Sequence, residues 1–152
     1  MQLTPNFSLE TLTYSETAVR RGLDNLPGGE VIVNLQRLAE GLEAVQSVLG
    51  HPIRISSGYR CPKLNAAVGG ARTSQHLQGL AADIVCPQFG SPVDIARAII
   101  ASDIVFDQCI NEWGRWVHVS FSAAPRGRVL SIYDSKNGYL EGLWDGEGSR
   151  VA

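Results

Sequence analysis

Cysteine is scarce in this chain. The three present, Cys61, Cys86 and Cys109, form neither a Cys-x-x-Cys pair nor an even set, which argues against a disulfide scaffold and for reduced, partly buried thiols. Long apolar runs are missing too: no segment approaches the roughly 20 residues needed to cross a bilayer. The start, Met1-Gln-Leu-Thr-Pro-Asn-Phe-Ser-Leu-Glu10, lacks the basic and then apolar pattern of a secretory signal. The expectation is a protein made in the cytoplasm without a signal peptide and not inserted in a membrane. Nor is there an excess of positive charge. A net charge of -2 argues against a nucleic-acid partner, which would call for a basic patch or stripe, although Arg115, Arg126 and Arg128 can still form a local basic face. Internal repeats and a separate binding module are absent as well.

What remains is ordinary globular material. A length of 152 residues with 44% hydrophobic content suits one domain, 1–152, with a single core, and a monomer is expected. Ser8 and Ser15 can cap two short N-terminal helical turns. After Gly28-Gly29, the apolar positions Val31, Leu35, Leu38, Leu42, Val45 and Leu49 step by four and three, the stripe of an amphipathic helix that packs on a sheet. Gly50 closes that helix and Pro52 prevents its continuation. Ser91-Pro-Val-Asp94 reads as the capped start of a second helix running to about Ala101. Strands are expected near 53–57, 80–85, 105–112, 116–121 and 128–133. The fold class that follows is α+β, a mainly antiparallel sheet with helices on one face and a cleft on the other. Residues 134–152, rich in glycine with scattered aromatics, read as an irregular flap that frays at its end and borders the cleft.

Chemistry concentrates in two strings. In Ser74-Gln-His-Leu-Gln-Gly-Leu-Ala-Ala-Asp83, His76 closes a Gly- and Ser-containing loop and Asp83 falls within the apolar, strand-like run Leu80–Val85. In Arg115-Trp-Val-His-Val-Ser-Phe121, Val117, Val119 and Phe121 alternate with Trp116, His118 and Ser120, which turns His118 away from the apolar face. Two imidazoles and a carboxylate are the protein side of an open Zn²⁺ site, which keeps a position free; closed structural sites are mostly thiolate. Zinc held in this way lowers the pKa of a bound water and polarises a carbonyl. A thiolate from Cys61 or Cys86 is not needed to complete the set. The third histidine, His51, lies in a Gly-His-Pro connector apart from the other two.

Together with Ser56-Ser-Gly-Tyr-Arg60 and Asn65-Ala-Ala-Val-Gly-Gly70, the strings Ser74-x-His76-x-x-Gly79-x-Ala81-x-Asp83 and Trp116-Val-His118-Val-Ser120 carry a resemblance. Over roughly residues 5 to 121 the chain resembles the zinc D-alanyl-D-alanine peptidases of the hedgehog/DD-peptidase fold, particularly their small phage and prophage members. The resemblance implies zinc on His76, Asp83 and His118. It also implies hydrolysis of peptide bonds in peptidoglycan stem peptides, as a D-Ala-D-Ala carboxypeptidase or an endolysin-type endopeptidase. Without an export signal, such an enzyme would meet the wall after lysis-time release or as part of a virion.

Hydrolysis needs a carboxylate base within hydrogen-bond reach of the attacking water. Several branches of the resembled family carry theirs three residues before the last His, where this chain has Arg115. Glu112 is the first candidate and Asp107 the reserve. The run 106–121 reads as a β-hairpin, and its register decides whether Glu112 serves. A loop of Gly114 to Trp116 sets Glu112 opposite His118 and on its face; a loop of Gly114 and Arg115 alone turns it away. Arg60, a permanently charged fork after a strand and a turn, suits a developing oxyanion or a substrate carboxylate. By resemblance Ser74 helps to hold substrate, while Tyr59 and Trp116 either wall the cleft or fill the core. A chain that kept the metal ligands but lacked a base would be a non-catalytic zinc or wall-peptide binding module, or a virion component.

Overall fold

Helix α3 (Gly29–Leu49) dominates the fold, and its leucine stripe explains why. Leu35, Leu38, Leu42 and Val45 lose all contact with solvent, each burial worth roughly 1.5–3 kcal/mol. The structure, a computed structural model, describes residues 1–152. Before α3 come α1 (Leu9–Thr13) and α2 (Glu16–Arg21), whose first-turn amides are accepted by the side chains of Ser8 and Ser15. Strand β1 (Arg54–Ser57) and helix α4 (Pro62–Ala67) follow. A 3₁₀ turn over Gln75–Gln78 leads to β2 (Ala81–Val85) and α5 (Pro92–Ala101). Ser91 and Asp94 complete a reciprocal capping box with Pro92 in the first turn. Strands β3 (Gln108–Glu112), β4 (Trp116–Ser120), β5 (Arg128–Ile132) and β6 (Leu140–Glu141) end the chain.

The six strands form one sheet in the order β1-β2-β4-β3-β5-β6. All pairs are antiparallel except β3 with β5, so the sheet is mainly antiparallel, as the sequence predicts. Alternation sorts its two faces. Ala82 and Ile84 of β2 oppose Val119 and Val117 of β4, and all four join the core against α3 and α5. Asp83 opposes His118 on the other face. Gly41 lets α3 come close to the residue that follows β4, since a Cβ there would come within 2.4 Å of the Phe121 ring.

Several features depart from expectation. The 3₁₀ turn occupies the end of the stretch read as loop before His76, and it touches α4, for which no element was expected. The strands begin or end up to three residues inside the expected bounds, most at β3, where Val105 to Asp107 lie outside the ladder. The tail, expected to fray, is tied down: the buried Asn111 side chain donates to the Tyr133 hydroxyl at 2.6 Å and the Trp144 carbonyl at 3.1 Å, and the Leu143 amide donates to Ala152 at 2.8 Å. All three cysteines are free, and burial pushes the Cys109 thiol up to about 12. No helix is long and apolar enough to cross a membrane.

Candidate metal centre and cleft

His76 is placed by backbone geometry from three segments. The Ser74 hydroxyl accepts from the His76 amide at 3.2 Å, and Gly79, at φ +73°, closes the 3₁₀ turn. The Gly58 carbonyl lies 2.7 Å from His76 Nδ1, while the Arg60 amide donates to the His76 carbonyl at 3.0 Å. Gly58 is itself wedged in place: a Cβ there would meet the Leu12 carbonyl oxygen at 2.2 Å, and the next amide, Tyr59, donates to that same oxygen at 2.8 Å. Gly58→Ala is therefore expected to lower stability by about 1–3 kcal/mol, as overpacking against fixed backbone does, and to weaken metal binding through displacement of His76. Urea unfolding and zinc affinity, measured on the same variant, check both effects.

Asp83 and His118 face each other across β2 and β4. His76 Nε2 is 3.2 Å and His118 Nδ1 3.4 Å from the same oxygen, Asp83 Oδ1. The two rings meet edge to face, with centroids 5.1 Å apart. One ligand atom from each residue lies within 4.8 Å of the others, and all three side chains are buried. Burial alone would raise the Asp83 pKa, but His76 and His118 outweigh it and hold the carboxyl below its ordinary range.

The donor set fits a metal ion. The Gly58 carbonyl can only accept, so His76 Nδ1 carries a proton, and Nε2 meets the Asp83 oxygen through a second proton or, once that proton is lost, through a metal cation, since two bare acceptors facing each other in a buried site are unfavourable. Two histidines directed at one aspartate meet the ligand chemistry of zinc. The carbonyl on the outer nitrogen is the usual orienting partner of a ligating imidazole.

Glu112 lies on the ligand face, through a register that neither expected loop describes. The hairpin turns on Trp113 to Arg115, pairing Glu112 with Trp116 and Ile110 with His118. Trp113 and Gly114 both take positive φ, 63° and 66°, and the Arg115 amide donates to the Glu112 carbonyl at 3.0 Å; two central residues of this kind are what a type I′ turn requires. Glu112 thus stands two residue pairs along from His118, on the same face, instead of opposite it. Its carboxylate accepts from Trp116 Nε1 at 2.7 Å. Burial raises the Glu112 pKa, with Asp83 adding to the effect and His118 and Trp116 opposing it.

Asp107 is engaged elsewhere. Its Oδ1 accepts from the Arg126 amide and Nε, both at 2.9 Å, and Oδ2 accepts from an Arg126 terminal nitrogen at 2.8 Å and Gln75 Nε2 at 2.7 Å. Arg126 first, and Gln75 with it, hold this carboxyl well below its usual range despite burial. With both oxygens occupied, it is poorly suited to take a proton from water.

A cleft of about 600 Å³ opens over this face, lined by the three ligands, Glu112, Arg60, Ser74 and Trp116 among others. Arg60 makes only long bonds, 3.4 Å to the Ser57 hydroxyl and 3.3 Å to that of Ser74, and its Nε has no partner. Burial lowers its pKa, opposed by Asp83 and Glu112; the result is a desolvated cation with donors to spare. Tyr59 is buried in the core and borders not this cleft but a second groove. Of the arginines, Arg126 and Arg128 line the cleft and Arg115 does not; Arg126 pairs with Asp107 and Arg128 with Glu141. Gln75, beside His76 in the chain, lines the cleft although it was not singled out as a site residue, and Tyr139 brings the tail to the cleft as expected; burial and then the charge of Glu112 push its phenol up.

A model of the family described as Peptidase M15 matches residues 5–120. No curated protein matches the chain.

Proposed function

The chain belongs to the peptidase M15 family, and we propose that it is a zinc metallopeptidase that hydrolyses peptide bonds of bacterial peptidoglycan stem peptides. The observation that carries this is Glu112: a half-buried carboxylate with a raised pKa, on the same face and in the same cleft as His76, Asp83 and His118. Burial, by raising the pKa of this carboxylate, makes it a stronger base, which suits taking a proton from water. A binding module without a base would not need one there.

His76, Asp83 and His118 would hold the zinc, which when bound supplies Lewis-acid polarisation at the floor of the cleft. Glu112 takes the proton of the attacking water and returns it to the leaving amine, while Trp116 Nε1, on Glu112 at 2.7 Å, fixes the carboxylate's direction. Arg60, a cation that lines the cleft, stabilises the oxyanion that develops on the scissile carbonyl. Ser74 steadies Arg60 and the His76 turn together.

Of the two reactions open to such a site, cleavage within the peptide is favoured over removal of a terminal residue. A second groove of about 700 Å³ shares Arg60, Asp83 and Trp116 with the first, which supports substrate lying on both sides of the scissile bond. A panel of D-Ala-D-Ala, L-Ala-D-Glu and cross-linked stem peptides tests this. Internal or cross-linking bonds are expected to be cut with the higher kcat/KM; preference for the free terminal D-Ala would reverse the assignment.

A further inference from the structure

We infer that Gln75 is a positioning residue for the metal centre: it relays the fixed charge of the Asp107–Arg126 pair into the choice of which ring nitrogen His118 presents to the metal. The inference rests on the metal-ligand role of His76, Asp83 and His118. It starts from Asp107, whose carboxylate is almost wholly buried and accepts three bonds from Arg126. That carboxylate has no proton to give, so whatever end of Gln75 meets it at 2.7 Å must be the amide NH₂. The usual ambiguity between the oxygen and nitrogen of a glutamine side chain is therefore removed by charge.

The other end of the amide must then be oxygen, and it lies 3.3 Å from His118 Nε2. An amide oxygen only accepts, so His118 is held with a proton on Nε2, and Nδ1 is the nitrogen left to give a lone pair to a metal. Nδ1 is the nitrogen 3.4 Å from Asp83 Oδ1, where the three ligand atoms converge. His76 reaches the same condition through the Gly58 carbonyl, with the two nitrogens exchanged. One imidazole is thus set by a backbone carbonyl and the other by a side-chain relay. Gln75 precedes His76 on the same 3₁₀ turn, so a single turn carries one ligand and orients the other.

The relay runs in one direction only. Asp107→Asn replaces the carboxylate by an amide able to donate to Gln75 Oε1, and the Gln75 side chain can then turn over and offer its NH₂ to His118 Nε2. That arrangement favours the opposite tautomer, with the proton on the nitrogen that should ligate. Gln75→Leu removes the relay and keeps a side chain of similar bulk.

Both variants are to be compared with the full wild-type chain in two measurements: zinc affinity by competition with a chromophoric chelator, and imidazole ¹⁵N shifts in the metal-free protein. The expected result is zinc binding weakened about 10–100-fold in each variant, the range for losing an orienting partner. Alongside it, His118 should lose its Nε2–H tautomer while His76 keeps its own. A merely structural role would lower the melting temperature without moving the tautomer or the affinity. A folded Gln75→Leu protein that binds zinc as the wild type does and retains His118 as Nε2–H would overturn the inference. A wild-type chain that binds no zinc would bring down the metal site, and the role of Gln75 with it.

Discussion

Glu112→Gln is expected to reduce kcat for stem-peptide hydrolysis by about 10²–10⁴-fold, the range for loss of a positioned general base, with zinc still bound and KM little changed. The substitution keeps the shape and the Trp116 hydrogen bond, since the amide oxygen can accept from Nε1 at the same 2.7 Å. What it removes is the capacity to hold a proton between the attacking water and the leaving amine. No neighbour can stand in. Asp107 has both oxygens occupied by Arg126 and Gln75, and Glu141 is exposed on β6 and paired with Arg128. Steady-state kinetics with zinc content measured on the same preparation separates loss of base from loss of metal. A variant with wild-type kcat would remove Glu112 from the mechanism.

His118→Ala is expected to abolish hydrolysis outright, with zinc affinity falling by more than the about 10–100-fold that loss of an orienting partner costs. One of only three ligands disappears, and the Asp83 carboxylate loses a neighbour that helps to keep it ionised in a buried site. The fold should survive. Val117 and Val119, on either side of His118, bury their side chains on the opposite face of β4 against the helices, and that face is untouched. A native circular-dichroism spectrum without peptidase activity is the expected pair of results; full activity would exclude His118 from the metal site.

Features that depend on neighbouring residues were legible in the sequence, and features that depend on distant ones were not. The stripe of α3, the Ser91 capping box and the alternation around His118 each arise within a few residues, so periodicity and cap chemistry disclose them. The same alternation gives the ligand face of β4, whereas β2, a continuous run of small and apolar residues around Asp83, takes its face from its pairing with β4. The register of the Glu112 hairpin does not, because it turns on Trp113 at φ 63°, a conformation that a bulky aromatic rarely adopts and no propensity foretells. The bond between Gln75 and Asp107 spans 32 residues, and nothing in either segment marks the other as its partner. Tyr59 shows the limit of composition: an aromatic beside Arg60 fits a cleft or a core equally well, and only the packing of Gly58 against Leu12 sends it inward. Asp107 likewise offers a plausible base until Arg126, 19 residues away, is seen to hold it.

The most direct test of the account is hydrolysis of purified peptidoglycan by wild-type and Glu112→Gln protein, each stripped with chelator and then reconstituted with measured zinc. Wild-type protein is expected to release new amino groups, stripping to stop the release, and the release to return as zinc approaches one ion per chain. The Glu112→Gln protein should take up the same zinc and release almost nothing. Undiminished hydrolysis by fully stripped wild-type protein, or reconstituted Glu112→Gln protein working at the wild-type rate, would contradict the account.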